Sequence, residues 1–383
     1  MLAACPSGAR RRIANPPQVN NLPHKMTNWN SLDYRWAETS NGAVQFHRQP
    51  FPMEMLTRDA VVVRPFYAGI CRADIKEVSG LREFVPGTRH LFGHEVIGRV
   101  VFSGDATAFG EEQTVTLNPN VDCERTTAFG DYLVAHGPPE VLHRALVCIP
   151  ERVSLEPPWL PEPFACVIHS LDGLLAALGA DSLAGAEVAI VGAGNAGTLF
   201  GLYAQHLGGR ATLFNRSLPR REFARKLGSF ADERICPLDS VSDGGFDIAI
   251  LATTLIDEEI LGIGERAVRP GGALLLYGGT WSNLMRDGHD LNRVRRTGSA
   301  VSLVSNGKAM RVVGGYGCNE GDFEKALAWY AEQPRAFPLS RLVSATIGLE
   351  ALPETIAAMA SGKYDPPGKI LIRNQPIESR RTP

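Results

Sequence analysis

Residues 188–197 read VAIVGAGNAG, an apolar, β-branched run that ends in Gly192, Gly194 and Gly197 and passes directly into a helical pattern. Few short segments constrain a fold more. A buried strand has to turn sharply at Gly192, Gly194 keeps the backbone open to close approach, and Gly197 lets a helix pack tightly on its own strand. The helix opening at Asn195 and Ala196 offers unpaired amides and a partial positive charge, which suits a pyrophosphate. A bare glycine turn without a ligand is the alternative, and the flanking strand and helix argue against it.

The pattern continues in kind. ATLFN (211–215), a helical stretch to Leu227, FDIAILAT (246–253), a helix near Ile260 and GALLLYGG (272–279) alternate strand and helix. Such alternation implies right-handed crossovers and a parallel sheet covered on both faces. MRVVGGYG (310–317) reads as the last strand of that sheet, followed by a helix near 322–332.

The end of the second strand bears on the ligand. A carboxylate there holds a ribose 2′-hydroxyl, but this chain has Asn215, Arg216 and Ser217, with Arg220 and Arg221 close behind. Arginine and serine can bond a 2′-phosphate, so the pattern favours NADP(H) over NAD. A solvated helix start is the plainer reading of these arginines.

A chain of 383 residues suggests two domains. Before residue 150 the pattern changes to short strands with Gly and Pro punctuation: AVVVRPFYA (60–68), HEVIGRVVF (94–102) and QTVTLNP (113–119). The strand-like KILIR (369–373) is placed back on this first domain. A net charge of −2 gives no electrostatic case for nucleic acid or an anionic membrane. No apolar run is long enough to span a bilayer. Seven dispersed cysteines make no disulfide framework and suggest a reducing, cytoplasmic setting.

Within the first domain stand Gly69-Ile70-Cys71-Arg72-Ala73-Asp74 and, further on, Gly93-His94-Glu95. Catalytic zinc takes thiolate, imidazole and carboxylate ligands and keeps one position open. Cys71 and His94 supply two. Taken singly, Cys71 reads equally well as a buried small residue. With the glycine turn, these motifs resemble the medium-chain dehydrogenase/reductase superfamily, of the zinc-dependent alcohol and polyol dehydrogenase type. The resemblance runs from about residue 43 to the C-terminus.

The resemblance implies an α/β chain with a GroES-like β-rich catalytic domain (43–173 and 318–383) and a Rossmann doubly wound parallel-sheet cofactor domain (174–317). Residues 1–42 are expected to be an N-terminal extension, partly disordered. It implies a zinc- and NADP(H)-dependent oxidoreductase acting on CH–OH groups, assembled as a homodimer or homotetramer. Glu162 in PEPFAC (161–166) matches the glutamate that polyol dehydrogenases carry near the metal, and Glu95 can also ligate. Cys166 lies four residues along the same presumed helix and is read, with His169, as helix packing. Asp74 is implied to orient His94 and to pair with a basic residue near the C-terminus, for which Lys369 is the candidate; Lys369 is also counted among the cofactor-binding residues. The zinc would act as a Lewis acid on a substrate oxygen, and the nicotinamide ring would exchange the hydride.

Two departures stand out. Where many relatives have Ser or Thr to start a proton relay, this chain has Ala73, which carries no hydroxyl. Where many relatives hold a second, structural zinc on four cysteines, 117–130 contains only Cys123. One zinc per subunit is therefore expected. Residues 60–119 are also similar to ribulose-5-phosphate reductases, for which Arg72, Arg82, Arg89 and His90 would meet a phosphate. The leading substrate is a polyol, sugar or cyclitol. A zinc-free quinone or enoyl reductase and a non-catalytic relative are the other readings. The basic stretch 281–310 reads as a subunit contact, a loop over the cofactor or an insertion.

Overall fold

The computed structural model describes residues 29–40, 42–81 and 92–373. The expected extension up to 28, the tail after 373, and Arg82, Arg89 and His90 lie outside them.

The chain opens with a hairpin, β1 (Asp33–Ser40) and β2 (Ala43–Pro50), paired along their full length. β1 falls within the stretch 1–42 expected to be an extension, and β2 begins just past it. β3 (Ala60–Ile70) is buried along nearly all of its eleven residues, as a central strand of β-branched and aromatic side chains should be. Next come α1 (Arg72–Val78), β4 (Glu95–Ser103), β5 (Thr114–Leu117), β6 (Glu124–Arg125), β7 (Leu133–His136), α2 (Pro139–Ala145) and β8 (Leu146–Cys148). The long helix α3 (Pro161–Leu178) starts with Pro at its first position and stops at left-handed Gly179.

The second domain begins with β9 (Glu187–Val191) and α4 (Asn195–His206), and continues through β10 (Arg210–Asn215), α5 (Leu218–Lys226), β11 (Ile235–Pro237) and β12 (Phe246–Leu251). The short β13 (Leu255–Ile256) precedes α6 (Glu258–Ala267) and β14 (Val268–Leu276). Then follow β15 (Gly279–Thr280), β16 (Met285–Arg286), β17 (His289–Asp290), α7 (Leu291–Thr297), β18 (Ala300–Ser305), β19 (Lys308–Gly314) and α8 (Glu320–Glu332). The chain returns through β20 (Val343–Ile347), α9 (Leu352–Ala360) and β21 (Lys369–Arg373).

The cofactor-type sheet runs β11-β10-β9-β12-β14-β19-β18. From β9 the order proceeds to β10 on one side and β12 on the other, so the strand order reverses beside the glycine turn, where open α/β sheets bind ligands. Apolar cores lie on both faces, one against α3, α4 and α8 and one against α6 and α7. The strand expected at 310–317 is β19, the last of this sheet in chain order, and β18 pairs antiparallel outside it as the spatial edge, taking up part of the basic stretch 281–310.

The other sheet runs β20-β21-β3-β4-β5-β8, with β7 also paired to β3 and β6. β21 lies antiparallel to β3, which brings the C-terminal strand beside Gly69 and Ile70 as expected.

Candidate active site

Gly69 faces Glu95 across β3 and β4, so the end of β3 and the start of β4 deliver Cys71 and His94-Glu95 to one place. One ligand atom each from Cys71, His94 and Glu95 lies within 4.8 Å of the others. His94 and Glu95 are buried. Glu95 Oε2 is buried and has no hydrogen-bond partner. An unpaired buried carboxylate oxygen beside a thiol and an imidazole is costly unless a cation satisfies it. The donor set and this orphaned oxygen both fit a zinc ion.

Asp74 is fully buried at the N-terminus of α1. It accepts the Cys71 amide at 2.7 Å and the Gly93 amide at 3.1 Å, and lies 3.7 Å from His94 Nδ1. It therefore fixes both ligand-bearing turns. Burial works against a charged His94, but Cys71 and Asp74 hold its pKa well above the usual imidazole value.

The implied pairing of Asp74 with Lys369 is not what the structure has. Lys369 Nζ donates to Glu95 Oε1 at 2.6 Å and to the Ile70 carbonyl at 3.2 Å. Asp74 is already committed to backbone amides, whereas Glu95 lies under β21. Burial opposes a charged Lys369, and the Glu95 and Cys71 charges outweigh it and raise the ammonium pKa. Lys369 also lines a small pocket with Asn195 and Leu199 at the start of α4, so it connects the Cys71 cluster to the glycine turn.

Glu162 is buried at the start of α3, but its ligand atom groups with Cys166 and Cys318 rather than with Cys71. Cys166 Sγ donates to Glu162 Oε1 at 3.2 Å. Cys166 is thus a lining residue of the site and not only a packing residue. Burial pushes the Glu162 carboxyl up, and the bond to Cys318 followed by burial pushes the Cys166 thiol well up. The charges of His94 and Lys369 oppose the rise at Glu162, and the charge of Glu95 adds to it. His169 points elsewhere, with Nδ1 2.9 Å from Asp322 Oδ2.

Two lining residues were not read from the sequence. Cys318 follows β19, and Tyr277 follows β14. Burial, then Cys166, Glu162, Cys71 and Cys318 push the Tyr277 phenol well above its usual range. Its position just beyond the carboxyl end of a parallel strand was the available signal.

The glycine turn has the required shape. Gly192 sits at φ +117°, and a Cβ there would lie 2.7 Å from the Ala252 carbonyl. A Cβ on Gly197 would lie 1.7 Å from the Gly192 carbonyl oxygen. At Gly194 the only atom within 4 Å would be Arg220 Nη1, at 3.0 Å. Apart from the end of that side chain nothing crowds the Gly194 backbone, which fits the close approach of a dinucleotide.

At the end of β10, Asn215 Oδ1 accepts the Ser217 amide at 2.8 Å, and Ser217 stands just before the first turn of α5. Arg216 is exposed and lies 3.6 Å from Glu259. Arg220 does not join this group. It turns toward Gly194 and pairs with Asp365, because α5 directs position 220 into the cleft. Arg221 instead donates to the Asn215 and Arg216 carbonyls. Arg72 pairs with Asp365 as well.

Residues 57–141 match the family model of the alcohol dehydrogenase GroES-like domain. No curated protein matches the chain in sequence. Among solved structures, a Sinorhizobium meliloti 1021 protein classed as a zinc-binding dehydrogenase, bound to NADP, superposes with TM-score 0.67 at 20% identity, covering 90% of this chain and 99% of its own. The 2R,3R-butanediol dehydrogenase of Bacillus subtilis gives 0.64 at 18%, covering 89% and 100%. TarJ of S. aureus, in complex with NADPH, gives 0.61 at 16%, covering 90% and 100%. Residues 57–141 therefore carry the alcohol dehydrogenase GroES-like domain, and the chain as a whole shares the two-domain fold of these solved dehydrogenases.

Proposed function

We propose that this chain is a zinc-dependent, NADP(H)-linked oxidoreductase that moves a hydride to or from a secondary alcohol or ketone carbon of a polyol, sugar or cyclitol. The carrying observation is the gathering of Cys71, His94 and Glu95, with an orphaned Glu95 oxygen, at the cleft end connected by Lys369 to the start of α4. The metal would be held by Cys71 and His94 with help from Glu95 or Glu162, and when bound it would supply Lewis-acid polarisation of a substrate oxygen.

The residues of the chain do the rest. Asp74 keeps the Cys71 and His94 turns in register through two backbone amides. Lys369 neutralises Glu95 and closes the pocket floor toward Asn195. Gly192, Gly194, Asn195, Ala196 and Gly197 would receive the cofactor diphosphate, and Asn215, Arg216 and Ser217 its 2′-phosphate. Ala73 offers no hydroxyl, so the substrate proton would travel by Glu162, the Tyr277 phenol or water. The apolar walls of Trp159 and Leu160 would limit water near the reacting carbon.

The similar solved structures that bind NADP or NADPH, or act on a butanediol, support the cofactor and substrate class. Self-association is supported by β18, an edge strand on which Val304 is 58% exposed. Among the described residues no helix is long and apolar enough to cross a membrane, and the thiols of Cys71, Cys148, Cys166, Cys236 and Cys318 are free. The free thiols support a cytoplasmic setting.

The test is metal analysis of freshly purified protein, joined to a turnover screen with NADPH across ketoses, ketose phosphates and cyclitol ketones. About one zinc per chain with turnover on an unphosphorylated ketone is expected. Turnover without stoichiometric zinc would refute the metal assignment, and turnover only on ketose phosphates would move the substrate to the phosphorylated class.

A further inference from the structure

Asp365 lies in the connection between α9 and β21, outside every motif discussed so far. Its carboxylate is the meeting point of two arginines from different parts of the molecule. Arg72 Nη2, from α1 beside Cys71, reaches Asp365 Oδ1 at 2.5 Å. Arg220 Nη2, from α5 of the cofactor-type domain, reaches the same oxygen at 2.6 Å, and its Nε reaches Oδ2 at 3.4 Å. Arg220 also donates to backbone, with Nη1 on the Pro367 carbonyl at 3.2 Å and Nη2 on the Pro366 carbonyl at 3.0 Å. The Arg220 side chain is only 14% exposed.

The position of Arg220 gives this arrangement its meaning. Its Nη1 is the one atom that a Cβ on Gly194 would meet, so the guanidinium sits over the glycine turn, in the volume a dinucleotide diphosphate must enter. Two cations share one carboxylate there, leaving an excess positive charge at the mouth of the turn. Burial works against a charged Asp365, yet Arg220 and Arg72 hold its carboxyl below the usual range, so at neutral pH the bridge is ionic. A diphosphate carries more negative charge than a carboxylate and presents several acceptor oxygens to the same forked donors.

We infer that Asp365 is a resident stand-in for the cofactor diphosphate. It holds Arg72 and Arg220 across the cleft mouth when no dinucleotide is bound, and it yields them to the diphosphate on binding. This inference rests on the dinucleotide reading above and adds to it a regulated mouth. Binding exchanges one anion for another on the same two arginines, and the 365–367 segment is released as the diphosphate seats. The cost is intrinsic to the free enzyme, so cofactor affinity is set below what the arginines alone would give.

The experiment is an NADPH titration followed by nicotinamide fluorescence on wild-type protein, Asp365→Asn, Arg220→Gln and the double variant, with thermal melts of each. Asp365→Asn should tighten binding by about threefold or more. Arg220→Gln should weaken it, and Asp365→Asn should bring little gain in the Arg220→Gln background. Asp365→Glu keeps the charge and should bind like wild type. Unchanged or weaker binding in a folded Asp365→Asn protein overturns the inference. An equal gain in both backgrounds also overturns it, because that is through-space repulsion and not competition for Arg220. If wild-type protein binds neither NADPH nor NADH, the dinucleotide reading fails, and this inference fails with it.

Discussion

The Lys369 ammonium and the Glu95 carboxylate form an ion pair at 2.6 Å, with 10% and 1% of their side chains exposed. The pair joins the last strand of the chain to the motif that carries His94. Removing one charge from a buried pair strands the other, typically at about 3–5 kcal/mol. Lys369→Met should therefore lower denaturant stability by roughly that amount, since the second Glu95 oxygen has no partner to compensate. Zinc would supply the missing positive charge, so the loss should be smaller in zinc-loaded than in chelated protein. Equal losses in both would show that Glu95 does not face the metal.

Gly194 and Gly197 are both glycines of one turn but should fail differently. A Cβ at 197 would collide with the Gly192 carbonyl at 1.7 Å, a backbone atom that cannot step aside. Gly197→Ala should cost about 1–3 kcal/mol or more in a urea melt. Gly194 has φ −82°, which alanine tolerates, and meets only the end of the Arg220 side chain. Gly194→Ala should melt within about 0.5 kcal/mol of wild type while losing tenfold or more in NADPH affinity. Wild-type NADPH affinity in Gly194→Ala would show that the diphosphate does not approach this backbone.

What could be read from the sequence follows the range of the interactions. The turn at 192–197 and the Cys71 and His94-Glu95 motifs are local, and spacing alone defines them. The partner of Lys369 is not local. Asp74 and Glu95 were both buried acids within reach of the last strand, and only the structure shows Asp74 spent on the Cys71 and Gly93 amides. The spacing of Cys71 and Asp74, helix cap and third helical residue, carried that information as a capping box. Cys318 reaches Cys166 from 152 positions away along the chain and has no local signature. The edge strand β18 was hidden because its short, mixed pattern looks like a loop. The pairing of Arg220 with Asp365 was not legible, because a cluster of arginines does not reveal which way each one leaves its helix.

His169 and Asp322 join α3 to the capping box of α8. The bond to Asp322 raises the His169 pKa above 6.5, against burial. The folded protein then binds the proton more tightly than the unfolded chain. The contribution is fully present below pH 6.5 and is lost as pH rises through the higher folded value. Denaturant melts from pH 5.5 to 8.5 should show wild type losing stability relative to His169→Gln across that window. Parallel curves would show that the pair carries no proton linkage.

Cys71→Ser should lose zinc and turnover together, because the hydroxyl is a poor substitute for a thiolate. Cys318→Ala is the necessary control. Cys318 belongs to the neighbouring group of three, and its loss should leave about one zinc per chain if the ion sits on Cys71 and His94. Metal analysis of both variants decides between the groups. Zinc retained in Cys71→Ser and lost in Cys318→Ala would move the ion to Glu162, Cys166 and Cys318.

Arg216 is exposed at the end of β10, with its nearest acid, Glu259, at 3.6 Å. It is therefore free to turn toward a 2′-phosphate at little cost. Charge-assisted bonds of this kind contribute about 1.5–3 kcal/mol, or roughly 10- to 100-fold in affinity. Arg216→Asp should weaken NADPH by about that factor and NADH far less, since aspartate can accept from a free ribose hydroxyl but repels a phosphate. Competition titrations with the two cofactors measure the ratio directly. A ratio unchanged from wild type would mean that the segment Asn215, Arg216 and Ser217 does not read the 2′-position.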